Sequence, residues 1–314
     1  MKKSLLSYYI VVAALLCSCS KEPVESFTGG DPTSPILPGA ASVETRADLS
    51  GVVSGTAFPA STTKVFSVVG YSGTAAPTNW ASPYIANVAV NSGTGSALSF
   101  ATPQYYPANG NKVYFYAYSP VSGTYSAGSG STAPTVVWTI TGQQDIMAAQ
   151  VTGGIAKAVT GTQSQPAFAF THKLKQVKFK VVKDASFEDN IKLTSLKIIG
   201  VKTAATLNLN TGSVTWGSTT GDLTAYNNST GQTITVTAAV AGSAVMFGPG
   251  TSFKVRAVAG GVTYADVTVT LSGTNAGQAG VGHEVTLTFK RNAIVPTATI
   301  TNWTTGTAGN ADIL

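Results

Sequence analysis

The chain has 314 residues, of which only 10% are charged, and a formal net charge of +6. Few charges and few strong helix formers, with abundant Gly, Thr, Ser, Val and Ala, are the composition of an all-β extracellular protein. Both cysteines, Cys17 and Cys19, fall within the first 19 residues. The rest of the chain therefore has neither disulfides nor thiol chemistry, and its stability must come from a packed core.

The N-terminus reads as an export signal. Lys2 and Lys3 give a positive start, and Tyr8 to Leu16 is an apolar run. The run is too short to span a bilayer, which needs about 20 apolar residues. Leu16-Cys17-Ser18-Cys19 follows, and the small Ser18 marks Cys19 as the lipid-bearing residue of a lipoprotein signal peptide, residues 1–19. Simple secretion without a lipid is the rival reading. Acyl chains on Cys19 would anchor the chain stably in the outer membrane, at roughly 0.8 kcal/mol per buried CH₂.

Residues 20–46 hold prolines at 23, 32, 35 and 38 and glycines at 29, 30 and 39. This is linker chemistry, with one short apolar piece at Pro35-Ile36-Leu37. It ends at Thr45-Arg46-Ala47, a site suited to an arginine-directed protease. A tethered, removable segment of this kind suggests a protein that is exported, anchored, then cut.

Strand-like blocks rich in Val, Thr and aromatics recur from Ala47 on, as expected of an all-β extracellular protein. Lys64–Val69 is the first clear one. Lys112–Tyr118 is the strongest, and its odd positions (Val113, Phe115, Ala117) and even positions (Tyr114, Tyr116, Tyr118) both lean apolar. Such a strand is covered on both faces or carries an aromatic outer stripe. Thr135–Ile140 follows. Val151 to Pro166 lacks periodicity and reads as a boundary between an N-terminal sandwich, 47–165, and a C-terminal one, 166–314.

From Phe168 to Leu174 the apolar residues occupy even positions. At Val177, Phe179 and Val181 they occupy odd ones. A switch of phase in a period-two element predicts a bulge or a sheet-switching bend near Lys175-Gln176. Asn210-Thr-Gly-Ser213 and Gly260-Gly261 each join two short strand-like runs as hairpin turns. Strands at this spacing, without helical patterns between them, imply β-sandwiches.

Catalytic chemistry is sparse. His172 and His283 lie far apart, and His172 sits at a core-parity position, which favours a buried, hydrogen-bonded histidine. His283 precedes a strand, where a turn role is the default. No Gly-x-Ser-x-Gly elbow occurs, and no paired-carboxylate arrangement is signalled, so no enzyme is expected. Asp184, Glu188 and Asp189 form an acidic cluster without the ligand spacing of an EF-hand loop, and no metal or cofactor is expected. Residues 1–46 carry four bases and four acids, so the remainder keeps the same +6. Lys173, Lys175, Lys178, Lys180 and Lys183 cluster, and read as a solvated strand face rather than a nucleic-acid patch. Tyr105, Tyr106, Tyr114, Tyr116, Tyr118 and Trp138 read as core, with a sugar-stacking platform as the alternative.

Taken in order, these features resemble the fimbrillin family, subunits of the type V pili of Bacteroidota. The resemblance rests on the Cys19 signal, Thr45-Arg46-Ala47, Tyr105-Tyr-Pro107 and Val113–Pro120. It continues through Trp138, Asp145-Ile-Met-Ala148, Phe170-Thr-His-Lys-Leu174 and Ile300-Thr-Asn-Trp303. It implies two tandem transthyretin-like (Greek-key) β-sandwich domains. It also implies cleavage after Arg46 and polymerisation with other pilin subunits by donor-strand exchange. The strand removed would lie within Ser34 to Val43, around Ile36 and Leu37. The expected location is the outer membrane first and a cell-surface pilus afterwards, supporting adhesion to a host or bacterial surface ligand. The alternative is a non-polymerising surface lipoprotein that binds glycans through exposed aromatics.

Overall fold

Valine-, threonine- and aromatic-rich blocks become strands almost throughout. A computed structural model describes residues 30–43, 58, 60–185, 187, 190–290 and 293–301, and the only helical turn among them is Thr94–Ser96. The chain is all-β. Its first half supplies β1 (Gly30–Ile36), β2 (Ala41–Val43), β3 (Thr62–Gly73), β4 (Ile85–Ser92), β5 (Leu98–Phe100) and β6 (Gln104–Pro107). It continues with β7 (Lys112–Ser119), β8 (Thr124–Ser126), β9 (Thr135–Thr139), β10 (Met147–Gln150) and β11 (Phe168–His172). The second half supplies β12 (Lys175–Lys183), β13 (Lys192–Lys202), β14 (Ala204–Asn208), β15 (Val214–Trp216), β16 (Thr220–Thr233) and β17 (Ala239–Phe247). The last strands are β18 (Ser252–Ala259), β19 (Val262–Thr263), β20 (Val267–Thr270), β21 (Gly282–Lys290) and β22 (Ala293–Thr301).

The largest sheet has seven strands in the order β2-β11-β10-β7-β3-β4-β5, while β1 and β6 form a separate antiparallel pair. The second half builds a four-stranded sheet, β17-β12-β21-β22, and a five-stranded one around β16-β13-β18-β19 with β20 also on β18. A further sheet, β15-β14-β9-β8, draws strands from both halves. Ala205 pairs with Trp138, and Leu207 with Val136. The two expected sandwiches therefore share a sheet, and one hydrophobic cluster runs from Tyr71 and Trp138 through Phe179 and Leu196 to Phe289.

Strand β7 is buried from Val113 to Ser119, as its double apolar parity requires. Val113, Phe115 and Ala117 enter one cluster, whereas Tyr114, Tyr116 and Tyr118 enter the other. The seven-stranded sheet is thus a middle layer with a core on each side. The parity switch after Phe168 corresponds to a change of sheet. β11 pairs with β10 and β2, and β12 pairs with β17 and β21. The passage falls at Lys173-Leu174 rather than at Pro166, so β11 belongs to the first sheet. A strand that moves between layers must present its other face, which is why the phase changes there.

Register along β12–β17 slips between Val177 and Phe179, opposite Val245 and Ala241. Gly242 lies in that slip at φ +72°, and a Cβ there would sit 1.9 Å from the carbonyl oxygen of Ala225. No side-chain rotation relieves a clash between a Cβ and backbone. Gly242→Ala is therefore expected to destabilise the fold by about 3 kcal/mol. Gly261→Ala, at a similar φ but with open space around it, should cost only about 1 kcal/mol. Paired urea-unfolding curves check this, and equal midpoints for the two variants would refute it.

Candidate functional site

The segment ahead of Arg46 is structured where its composition reads as linker. β1 runs antiparallel to β6, with Pro35 opposite Tyr105 and Ile36 opposite Gln104. Prolines 32 and 35 are tolerated because, among the described residues, β1 has only β6 as a strand neighbour, and an edge strand can forgo ladder donors on its open side. The chain turns at residues 37–40, held by Gly39 N–H donating to the Pro166 carbonyl at 2.9 Å. Phe168 N–H then donates to the Ala40 carbonyl at 2.9 Å. β2 continues from there as a parallel edge strand on β11, with Ala41 opposite Phe168 and Val43 opposite Phe170.

Two side chains from this segment enter a core. Ile36 is 2% exposed and Val43 is 3% exposed. Both belong to the cluster on the outer face of the seven-stranded sheet, with Phe58, Phe66, Tyr106, Phe115, Phe168 and Phe170. The aromatic rings there interlock. Phe66 stands 5.3 Å from Phe168 and 5.0 Å from Phe170, and Phe58 meets Phe170 edge-on at 5.1 Å. Leu37 is half exposed, at 51%. Of the two residues singled out from the sequence, Ile36 plugs the core and Leu37 does not. Leu37 is the first residue past β1, at the start of the turn, and stays at the surface. Val43, the last residue of the range named from the sequence but not singled out within it, is the second plug.

The 156–166 stretch closes over the same place. Tyr106 Oη donates to the Ser164 carbonyl at 2.9 Å, and burial pushes its pKa up to about 12, so it remains a neutral donor. Gln163 accepts from Ala158 N–H and donates to the carbonyls of Ala156 and Ser164. A pocket of about 250 Å³ separates Ser34, Pro35 and Leu37 from Ala158, Gly161 and Gln165. The cover over β1 is therefore incomplete.

Cys19, Arg46, Ala47 and Trp303 lie outside the described residues. So do Glu188 and Asp189 of the acidic cluster. Among the described residues, no group of three or more His, Cys, Asp or Glu is placed to hold a metal ion, and no helix is long and apolar enough to cross a membrane. His172 is buried with Nδ1 3.0 Å from Asp145 Oδ1. His283 is fully buried, and its Nε2 accepts from Gly277 N–H. Burial, and then the charge of Lys175, pull its pKa down to about 4, so it is neutral at pH 7. It is a core residue of β21 rather than a turn residue.

The glycan platform is not present. Tyr106, Tyr114, Tyr116, Tyr118 and Trp138 are all buried, and only Tyr105 is half-buried. Trp138 meets Tyr118 edge-on at 5.7 Å, and Trp80 covers Tyr116 at 5.4 Å. Cross-strand packing consumes the rings that a sugar would need. The lysine run also departs from its sequence reading, since Lys175 is 1% exposed.

The comparisons with known proteins bear on this arrangement. A family model described as fimbrillin-like matches residues 45–303. The chain belongs to the fimbrillin-like family. The match begins after β2, so both plugging side chains lie ahead of it. A candidate cell adhesion protein from Bacteroides uniformis is 18% identical, with a TM-score of 0.57 over 87% of this chain and 100% of that one. A fimbrial protein from Bacteroides vulgatus is also 18% identical, with a TM-score of 0.54 over 86% and 99%. At such identities the likeness is one of fold. No curated protein sequence matches the chain. Fimbrillin-like membership supports a pilus subunit or adhesin and a cell-surface location.

Proposed function

We propose that this fimbrillin-like chain is a structural, non-enzymatic subunit of a type V pilus and that it assembles by donor-strand exchange. It is exported as a lipoprotein anchored through Cys19 in the outer membrane, and a protease cuts after Arg46. A strand from another subunit then replaces β1 and β2, and the filament supports adhesion to a host or bacterial surface ligand. The observation that carries the reading is the burial of Ile36 and Val43, both ahead of Arg46, against the aromatic face of the seven-stranded sheet.

The physics is direct. Loss of residues 20–46 leaves β6 and β11 each without an edge partner and opens an apolar face. A donor strand satisfies both, through ladder hydrogen bonds and through alternate side chains in the vacated places. Head-to-tail use of such a site grows an open filament rather than a closed ring.

Limited trypsin digestion of the whole chain, with N-terminal sequencing and size analysis, is the test. A new N-terminus at Ala47 followed by growth into ladders is the expected result. Clean cleavage that never produces larger species, even with related subunits added, would overturn the exchange step. Scattered cleavage of an otherwise monomeric chain would overturn the maturation route.

A further inference from the structure

We propose that the pocket where β12, β13, β15 and β17 meet binds a sugar ring bearing a carboxylate. The pocket holds about 360 Å³ and is lined by Lys175, Lys202, Trp216, Phe247, Pro249 and Ser252 among others. It lies at the seam between three sheets, a usual place for a small-ligand site, and its volume suits one ring.

Lys175 makes the case. Its side chain is buried, yet it lines the pocket. Its Nζ donates to the Gly250 carbonyl and lies 4.3 Å from the ring centroid of Phe247 and 5.1 Å from that of Phe253. An ammonium carries three N–H donors, and one carbonyl uses one of them. Among the described residues no carboxylate pairs with it. A buried cation without an anion is costly to keep, unless an anion arrives from outside. Burial lowers the Lys175 pKa to about 8, which still leaves the group mostly charged at pH 7. Neighbouring His283 is neutral there and offers no competing positive charge.

The rest of the lining fits a sugar ring rather than a bare anion. Trp216 is half-buried, and a Cβ on Gly248 would lie 2.9 Å from its indole, so the ring packs directly against the Gly248 backbone. That gives a fixed aromatic wall, the surface on which the C–H face of a sugar ring stacks. Exposed Ser252 and Lys202 stand at the rim, where hydroxyls and a second cation are useful. This site is remote in sequence from the segment ahead of Arg46, and the inference does not rest on the assembly reading.

The test titrates the whole chain, in mild detergent, with D-glucuronate and N-acetylneuraminate, and with D-glucose and acetate for comparison. Calorimetry and saturation-transfer NMR give the affinities. The acidic sugars should bind at least about tenfold more tightly than either comparison compound. Lys175→Met should weaken them by at least about tenfold, because a charge-assisted hydrogen bond in a buried site is lost. Ser252→Trp, which plugs the mouth from an exposed position, should cause the same loss with the Lys175 cation intact, so a misfolded methionine variant does not end the test. Equal binding of glucose, or acetate binding as tightly as glucuronate, would overturn the proposal. So would acidic-sugar binding that survives both substitutions.

Discussion

Arg46→Ala is expected to hold the chain as a monomer under conditions where the parent grows ladders. The reason is the difference between a tethered plug and a free one. While the chain is intact, β1 and β2 occupy their places as parts of the same molecule. Linkage within one chain gives a high effective concentration, on the order of millimolar for short linkers. Ile36 and Val43 add roughly 1.5–3 kcal/mol each by burial, and the ladders to β6 and β11 add more. A donor strand from another subunit at micromolar concentration cannot displace that. Once the bond after Arg46 is cut, the segment can diffuse away and is diluted. The donor then competes on equal terms, with affinity deciding the outcome. Size-exclusion chromatography and electron microscopy after treatment with an arginine-specific protease would show the parent as filaments and the variant as monomer. Arg46→Lys should behave as the variant with that protease and as the parent with trypsin. Filaments formed equally well by Arg46→Ala would dispose of cleavage as the trigger.

The all-β class was legible in the sequence because turn residues and β-branched runs alternate along most of the chain. The two-faced burial of β7 was legible because both parities of Lys112–Tyr118 are apolar. The sheet change after β11 was legible from parity alone, to within about two residues. Three features were hidden, each for a physical reason. Strand β1 carries Pro32 and Pro35, which argue against a central strand but not against an edge one. The pairing of β14 with β9 joins residues some seventy apart, as Ala205 with Trp138, and local pattern carries no information about such partners. Lys175 reads as one of a solvated run, although it shares odd parity with Val177, Phe179 and Val181 and so faces the core. Parity was the better guide there than residue type.

The burial of Ile36 and Val43 yields the sharper test of the site. Ile36→Asp combined with Val43→Asp should empty the groove without any cut. Each substitution asks the segment to bury a carboxylate in a cluster rich in phenylalanine, at a cost of several kcal/mol apiece. Residues 30–43 would then stay out of their places, and the aromatic face would be open in an intact chain. Placed in the Arg46→Ala background, the two substitutions should restore ladder formation that the single variant lacks, with no protease present. Leu37→Asp in the same background should change nothing, because Leu37 is half exposed and plugs nothing. The buried-pair chain carries its carboxylates where Ile36 and Val43 are buried and the Leu37→Asp chain carries one where the segment is exposed, so their ordering separates burial from general loosening of the N-terminus. A triple variant that keeps the parent's far-ultraviolet spectrum and unfolding midpoint yet remains monomeric would show that these two side chains do not gate the groove. Assembly restored by Leu37→Asp as well would show that the segment acts by its mere presence and not by its fit. The expected pattern, restoration by the buried pair and not by Leu37, would tie the timing of assembly to two buried side chains within a segment whose composition reads as linker.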